Sequence, residues 1–310
     1  MFDPELESFK TSIDLRAYAA SQGYTLDRKK SWRGSAVMRH ANGDKIIISR
    51  KPDGHYTFYS VRTDQDAGTI IDFIQNRRSL SLGGIRKELR AWLGTPAPSV
   101  PQFAELHATA KDRQAVQERY ASMTVAHRHP YLEHERCIPA LTLQYWRFEG
   151  RVKIDRHSNA VFPHYDAAGL CGYELKNTNF TGFASGGSKG LWLSKTIRDD
   201  NRLVVCESAI DALSYAVLVP DGHSRYGSIG GKPSLAQSGL LRIQIARMPK
   251  GSEIVAAFDA DAAGRQLADL VGTVVSDAGR GVTFRRHEPE GVKDWNDRLR
   301  ASRRMEAVPA

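Results

Sequence analysis

Ile254-Val255-Ala256-Ala257-Phe258-Asp259-Ala260-Asp261-Ala262-Ala263-Gly264 decides how the last third of this chain folds. Its apolar run reads as a buried strand, Glu253–Phe258. Asp259 stands where the run stops, Asp261 follows two residues on, and a helix is expected over Ala262–Ala278. The pattern recurs on both sides. Strand Leu203–Cys206 stops at Glu207, with Asp211 four residues later on the expected helix Ser208–Val219. Strand Val282–Arg286 precedes Val292-Lys293-Asp294-Trp295-Asn296-Asp297 and a short helix near Trp295–Leu299. Strands alternating with helices predict an α/β unit with a parallel sheet flanked by helices.

In an open parallel sheet, ligands sit outside the carboxyl ends of the strands. Glu207 and Asp211 stack on one helical face, and Asp294 and Asp297 are one turn apart. Six carboxylates are thereby expected on one sheet edge, where they repel one another unless a cation joins them. Hard oxygen donors suit Mg²⁺ or Mn²⁺. Glu207, Asp259, Asp261, Asp294 and Asp297 are the candidate metal ligands. Glu207, Asp211, Asp259 and Asp261 are the candidate catalytic groups, with Glu207 either a ligand or a general base. The competing reading is that helix N-termini attract Asp and Glu for capping. It explains any one cluster better than three at successive strand ends.

The chain has 310 residues and a formal net charge of +9, which fits a polyanionic partner or a solubilising basic surface. The excess lies toward the beginning, with 16 Lys and Arg against 11 acids in residues 1–100. Residues 201–300 are near balance, 13 against 12. Cys137, Cys171 and Cys206 are far apart, so neither a disulfide framework nor a zinc ribbon is supported. The N-terminus lacks an apolar leader and no run approaches membrane-spanning length, so a cytoplasmic protein with no membrane partner is expected. Gly186-Gly187-Ser188-Lys189-Gly190 lacks P-loop spacing, and no helicase ATPase can be assembled. His127-Arg128-His129 reads as a surface turn.

Five regions are expected: 1–94, 95–118, 119–199, 200–300 and a tail at 301–310. The first is an α+β module. Helices are read at Ile13–Gln22, Gly68–Asn76 and Gly83–Leu93. Strands are read at Ser35–His40, Lys45–Ser49 and Tyr56–Val61, with turns at Asn42-Gly43 and Pro52-Asp53-Gly54. Thr95–Pro101 is a proline-rich linker, followed by a polar helix near Phe103–Tyr120. Tyr131–Ile138 reads as a helix and its turn. Ala160–Tyr165 and Gly169–Leu175 read as a hairpin turning at Asp166–Gly169.

Glu207 with Asp211, Asp259-x-Asp261 with its Ala-Ala-Gly, and Lys293-Asp294-x-Asn296-Asp297 resemble the Toprim domain of bacterial-type primases, topoisomerases and some nucleases. The family has glycine where this chain has Ser208. Tyr226–Gly231 corresponds to a small-residue turn between the motifs. Upstream, Phe162-Pro163, Asp166-x-x-Gly169 and Gly172-Tyr173 resemble the primase segment preceding Toprim, also found in primase-like proteins of plasmids and mobile elements. The resemblance implies that Lys189, ahead of Leu191-Trp192, contacts template or nucleotide phosphate; otherwise it is a solvated loop lysine.

Residues 35–75 resemble the primase zinc-binding module in outline, with Phe58-Tyr59 and Asp66–Ile74 matching its shape. At the ligand positions stand Val37, His40, Ser60 and Thr63, and one histidine cannot close a zinc site. No zinc is expected. Arg33, Arg39, Lys45, Arg50, Lys51, His55, Tyr56 and Arg62 form a basic band with interleaved aromatics that suits single-stranded nucleic acid. The alternative is a solvated basic face over buried aromatics.

The leading functional expectation is a DNA-directed primase: a nucleotidyltransferase using single-stranded DNA, nucleoside triphosphates and Mg²⁺ or Mn²⁺. Lys293 joins Lys189 as a candidate phosphate contact. The resemblance leaves room for a replicative helicase, relaxase or other mobile-element partner. The alternatives are a metal-dependent Toprim nuclease and a non-catalytic nucleic-acid-binding protein of a mobile element or phage-defence system.

Overall fold

The computed structural model describes residues 3–62, 66–94, 103–107, 110–231, 233–279 and 281–306. The chain divides into two compact units, Met1–Ala110 and Lys111–Ala310. The expected linker at 95–101 and Thr63 lie outside the described residues.

In the first unit, α1 (Pro4–Ser12) starts at Asp3, whose side chain accepts from Leu6 N, with Pro4 at the first helical position. The helix expected over Ile13–Gln22 is instead α2 (Leu15–Ser21), because Ile13 is extended and Asp14 caps a new start. A five-stranded antiparallel sheet follows in chain order: β1 (Thr25–Leu26), β2 (Ala36–Arg39), β3 (Lys45–Arg50), β4 (Tyr56–Ser60) and β5 (Ala67–Gly68). The sheet alternates. Ala36, Met38, Ile46, Ile48 and Phe58 face the core with Phe73 and Ile74 of α3 (Ile70–Arg78) and Ile85 and Leu89 of α4 (Leu82–Gly94). Arg39 pairs with Lys45, and Ile47 with Val37 and Tyr59, on the opposite face.

In the second unit the polar helix is α5 (Arg113–Ala121), shorter than the expected Phe103–Tyr120 because Asp112 caps it through Ala115 N. An antiparallel sheet contains β6 (Thr124–Val125), β7 (Lys153–Ile154), β8 (Ala160–Asp166), β9 (Gly169–Asn177) and β10 (Phe180–Phe183). Tyr131–Glu135 is one wide helical turn, and α6 (Ala140–Gln144) follows.

The third sheet has the order β11-β13-β12-β14-β15: β11 (Trp192–Leu193), β12 (Arg202–Cys206), β13 (Ser224–Ser228), β14 (Glu253–Ala257) and β15 (Thr283–Arg286). All neighbours pair in parallel except β11, an antiparallel edge. The helices are α7 (Ala209–Leu218), α8 (Leu235–Ala246), α9 (Ala262–Ala278) and α10 (Trp295–Glu306). β13 lies to one side of β12, and α8 then carries the chain back to β14 on the other. The strand order therefore reverses between β12 and β14, where an open sheet leaves a crevice.

Both faces are covered. Val204 and Cys206 pack with α7, Trp295 and Leu299, while Leu203, Val205 and Ile254 pack with α8 and α9. Phe148, Phe162 and Trp192 share the first of these cores, so the expected 119–199 and 200–300 segments interlock within one unit.

Two expectations are corrected and one gap is filled. Tyr226–Gly231 is not only a turn: Ser224–Ser228 is a fully buried strand whose serines and arginine hid it. Helix α8 occupies a stretch for which the sequence reading gives no element. The stretch expected as a tail at 301–310 instead continues α10 to Glu306, and Leu299 on that helix is buried.

A candidate metal and phosphate site

Glu207 follows β12 and Asp259 follows β14, at the two carboxyl ends flanking the switch point. Both are 7% exposed, as is Asp211. Ser208, standing where Toprim domains have glycine, is extended at φ −119° and caps α7. Its Oγ accepts from Asp211 N at 3.1 Å and donates to Asp211 Oδ2 at 2.5 Å. The position thus needs no glycine backbone, and the serine fixes the Asp211 carboxylate.

The glycine turn after β13 holds Glu207 from the other side. Gly230 and Gly231 N donate to the Glu207 carbonyl at 2.8 and 3.2 Å. Gly230 has φ +67°, and a Cβ there would stand 2.1 Å from Glu174 Oε1. Only glycine permits that approach. Gly264 serves Asp259 similarly, since a Cβ on it would fall 2.0 Å from the Asp259 carbonyl oxygen.

Burial raises the Asp259 carboxyl to about 9, assisted by the charges of Asp211, Glu207 and Asp294. Asp211 is raised to about 6, by burial and then Asp294. Asp294 is also raised, chiefly by burial. These shifts describe one repulsive cluster. The available cations only partly offset it. Lys293 Nζ lies 3.9 Å from Asp259 Oδ2 and 3.8 Å from Asp261 Oδ2. Arg136 lowers both Asp211 and Asp294.

Asp261 caps α9 by accepting from Gly264 N at 2.9 Å through Oδ1, leaving Oδ2 toward Lys293. Asp294 accepts from Asp297 N at 2.7 Å, whereas the Asp297 carboxylate pairs with Arg300 at 3.1 Å. Glu207, Asp211, Asp259 and Asp294 are therefore electrostatically joined, Asp261 meets them through Lys293, and Asp297 is directed to Arg300.

The donor chemistry fits a hard divalent ion: buried carboxylate oxygens whose mutual repulsion a cation would relieve. Among the described residues, however, no group of three or more His, Cys, Asp or Glu stands at the spacing that holds an ion. Lys293 occupies part of the cation's electrostatic role.

Two contributors escaped sequence reading. Arg136 donates to Tyr131 OH at 2.8 Å and to Asn296 Oδ1 at 3.4 Å. Asn296 N donates to Asp211 Oδ1 at 3.2 Å, and Asn296 Nδ2 to the Arg136 carbonyl at 2.7 Å. Arg136 belongs to no motif and carries no sequence signal, whereas Asn296 lay within a quoted motif without an assigned role.

Lys189 lies exposed in its loop, where a hydrogen bond tethers it. Its Nζ donates to the Gly230 carbonyl at 2.6 Å, on the turn that positions Glu207. Burial acting alone would raise the Glu174 carboxyl, but Lys176, His164 and Lys189 outweigh it and hold it low.

In the first unit, the expected basic band is uneven. Arg33, Lys51 and Arg62 are exposed. Arg39 pairs with Asp27 at 2.9 Å. Lys45 is lowered by burial and by neighbouring Lys30 and Arg39. Arg50 is ion-paired with Glu105 and lies over Tyr56, while His55 sits between Glu7 and Asp53. Tyr56 is buried in the core, so it is not an exposed stacking residue.

Residues 204–299 match the family described as Toprim-like, and residues 130–201 match a family described as a protein of unknown function (DUF3991). The Toprim resemblance carried by Glu207, Asp259-x-Asp261 and Lys293-Asp294 is thereby met. No curated protein matches the chain. Among solved structures, the primase fragment of the bacteriophage T7 primase-helicase protein is 18% identical, at TM-score 0.40, covering 72% of this chain and 86% of that one. A chain from the bacteriophage T7 lagging-strand DNA polymerase structure with primase domains of two gp4 subunits is 20% identical, at TM-score 0.38, covering 56% of this chain and 87% of that one. Among the described residues no helix is long and apolar enough to cross a membrane.

Proposed function

We propose that this Toprim-bearing chain is a primase-like nucleotidyltransferase that makes short primers on single-stranded DNA. The observation that carries the reading is the repulsive carboxylate cluster at the switch point of a Toprim-like sheet, next to Lys293. Asp259 and Asp261, joined by Asp211, Glu207 or Asp294, would hold Mg²⁺ or Mn²⁺. The ion's chemistry is activation of a 3′-hydroxyl and charge neutralisation on leaving pyrophosphate.

The chain's own groups do the rest. Glu207, whose carbonyl is held by Gly230 and Gly231, would accept a proton from the attacking hydroxyl. Lys293 would release its carboxylate partners and pair with triphosphate oxygens. Lys189, near the glycine turn, is the second phosphate contact. Arg136 and Asn296 position Asp211 without touching substrate. Arg33, Arg39, Lys51 and Arg62 offer the first unit's exposed charge to the template backbone.

The direct test is primer synthesis from labelled nucleoside triphosphates on single-stranded DNA, with Mg²⁺ and Mn²⁺ supplied separately. No product from the wild type across several templates overturns the reading. Metal-dependent cleavage without added nucleotides would replace it with the nuclease. A non-catalytic nucleic-acid-binding role has one observation in its favour, since Lys293 already lies between Asp259 and Asp261. That reading wins if Glu207→Gln and Asp259→Asn leave function in cells intact. A helicase or relaxase partner, and a plasmid, mobile-element or cytoplasmic setting, belong to the primase reading and stand or fall with it.

A further inference from the structure

A second charged cluster lies at the other end of the parallel sheet. Glu207 and Asp259 follow the carboxyl ends of β12 and β14. Arg225, by contrast, sits at the start of β13, next to a cleft that also meets Leu203 at the start of β12. The cleft is lined by Arg151, Arg225 and Arg247, with Tyr165, Thr196 and Gln244 among them.

These arginines are poorly matched by acids. Asp200 is fully buried and already accepts from Arg147 at 2.8 and 3.2 Å. Arg225, 8% exposed, reaches the same carboxylate only at 3.3 Å, and its buried Nε has no hydrogen-bond partner. Arg151 Nε is likewise buried without one. The Arg151 guanidinium stands 5.4 Å from the Tyr165 ring centre, which orients it. The exposed Arg247 guanidinium makes no hydrogen bond or ion pair among the described residues. Arg147 and Arg225 thus share one carboxylate, and Arg151 and Arg247 have no ion pair among the described residues.

Burying Arg225 with only Asp200 at 3.3 Å and the Ile197 carbonyl at 3.4 Å as partners is costly, so a purely structural role is a poor explanation. Planar guanidinium forks match a phosphate's oxygens bidentately, and several of them favour a dianion. A neighbouring cleft that shares Tyr165, Leu193, Gln244 and Arg247 is lined by Leu240 and Ile243 of α8, giving the charged end an apolar neighbour. Asp166, at that far end, is occupied by Arg113.

We propose that the cleft between β11, β13 and the C-terminal end of α8 is a phosphate site separate from the acidic edge. It takes a terminal phosphate monoester, that of a free nucleotide or of a nucleic-acid 5′ end. The site does not depend on the primase reading, because it uses none of the Toprim carboxylates.

The test titrates inorganic phosphate and pyrophosphate into the full chain with chelator present, at constant ionic strength, reading affinity by calorimetry and stability by thermal melting. The wild type is expected to bind and to melt higher. Arg151→Ala with Arg247→Ala should weaken binding at least tenfold, while Asp259→Asn binds as the wild type. If the double variant fails to fold, Arg247→Ala alone carries the test, with at least a threefold loss. Competition by a 5′-phosphorylated oligonucleotide against its 5′-hydroxyl counterpart, and by a nucleoside triphosphate, names the source. The proposal is overturned by no phosphate-specific binding, by full binding in the arginine variants, by equal loss in Asp259→Asn, or by failure of both organic phosphates to compete.

Discussion

Charge is arranged in opposite ways in the two units. In the first, Arg77 is surrounded by acceptors. Its Nη2 meets Asp44 at 2.9 Å and Asp66 at 2.7 Å, and its Nε meets Tyr24 OH at 2.7 Å. Its guanidinium lies 4.4 Å from the Phe73 ring centre and 5.0 Å from that of Phe58. Burial would raise the Asp44 carboxyl, but hydrogen bonds from Tyr24 and Arg77 hold it low. In the second unit, burial and like charge push Asp259 up to about 9. One cluster is satisfied and ties the β2–β3 turn and the approach to β5 onto α3. The other is left short of positive charge. A satisfied cluster stabilises, whereas a frustrated one is a candidate for binding a counter-charge.

The largest predicted effect tests the satisfied side. Arg77→Ala leaves two largely buried carboxylates without their cation, a loss of about 3 kcal/mol in folding stability. Denaturant unfolding of the full chain reads it, using a probe in the first unit. A loss under about 1 kcal/mol, the value of an exposed pair, would mean the hub is ornamental to the fold.

Asp259→Asn tests the frustrated side. Primer synthesis is predicted to fall at least about a hundredfold, the scale of removing one preorganised electrostatic interaction. Stability should not fall with it, because asparagine is neutral and needs no proton to sit in this buried, acidic surrounding. Parallel loss of activity and melting temperature would make Asp259 a structural residue and erase the contrast.

That contrast was half legible in the sequence. Acids at the ends of apolar runs announced Glu207 and Asp259, and the start of the last helix announced Asp294, because strand burial and helix capping are local rules. Ser208 was legible too, although its role as the cap for Asp211 became clear only from the side-chain geometry. Arg136 was invisible, since its approach to Asp211 and Asn296 is made by tertiary packing. Arg77 was hidden for the same reason. It lies on an expected helix boundary, and the outline of a metal module directed attention to Val37, His40, Ser60 and Thr63 instead. Strand β13 escaped because Ser224, Arg225 and Ser228 are polar, yet the strand is fully buried.

A smaller effect sharpens the contrast through pH. An unfolded aspartate releases its proton near pH 4, whereas Asp259 in the fold holds it toward about 9. Between those values the folded state binds more protons, so this group's contribution makes stability fall as pH rises. Asp211, raised to about 6, adds the same sign over a narrower range. Asp259→Asn should therefore flatten the decline in melting temperature from pH 5 to 8, a gain of a few degrees at the alkaline end. Added Mg²⁺ should flatten it in the wild type alone. An identical slope in both proteins would show that Asp259 ionises as an ordinary carboxylate.

The smallest predicted effect concerns the first unit's outward sheet face, where Arg39 and Lys45 are cross-strand partners. Arg39 meets Asp27 at 2.9 Å, with almost half its side chain exposed, and such pairs contribute about 0–1 kcal/mol. Arg39→Ala with Lys45→Ala should leave stability almost unchanged, in opposition to Arg77→Ala in the same unit. Affinity for single-stranded DNA should instead drop severalfold. The salt dependence should also flatten by roughly 0.7 in log–log slope for each phosphate that the protein no longer neutralises. Lys45 is held below its ordinary lysine range by burial and by Lys30 and Arg39, so a phosphate arriving there relieves repulsion among three cations. That relief is a weaker, exposed counterpart of what a cation would do for Asp259. An unchanged salt slope would place the template elsewhere than on this face.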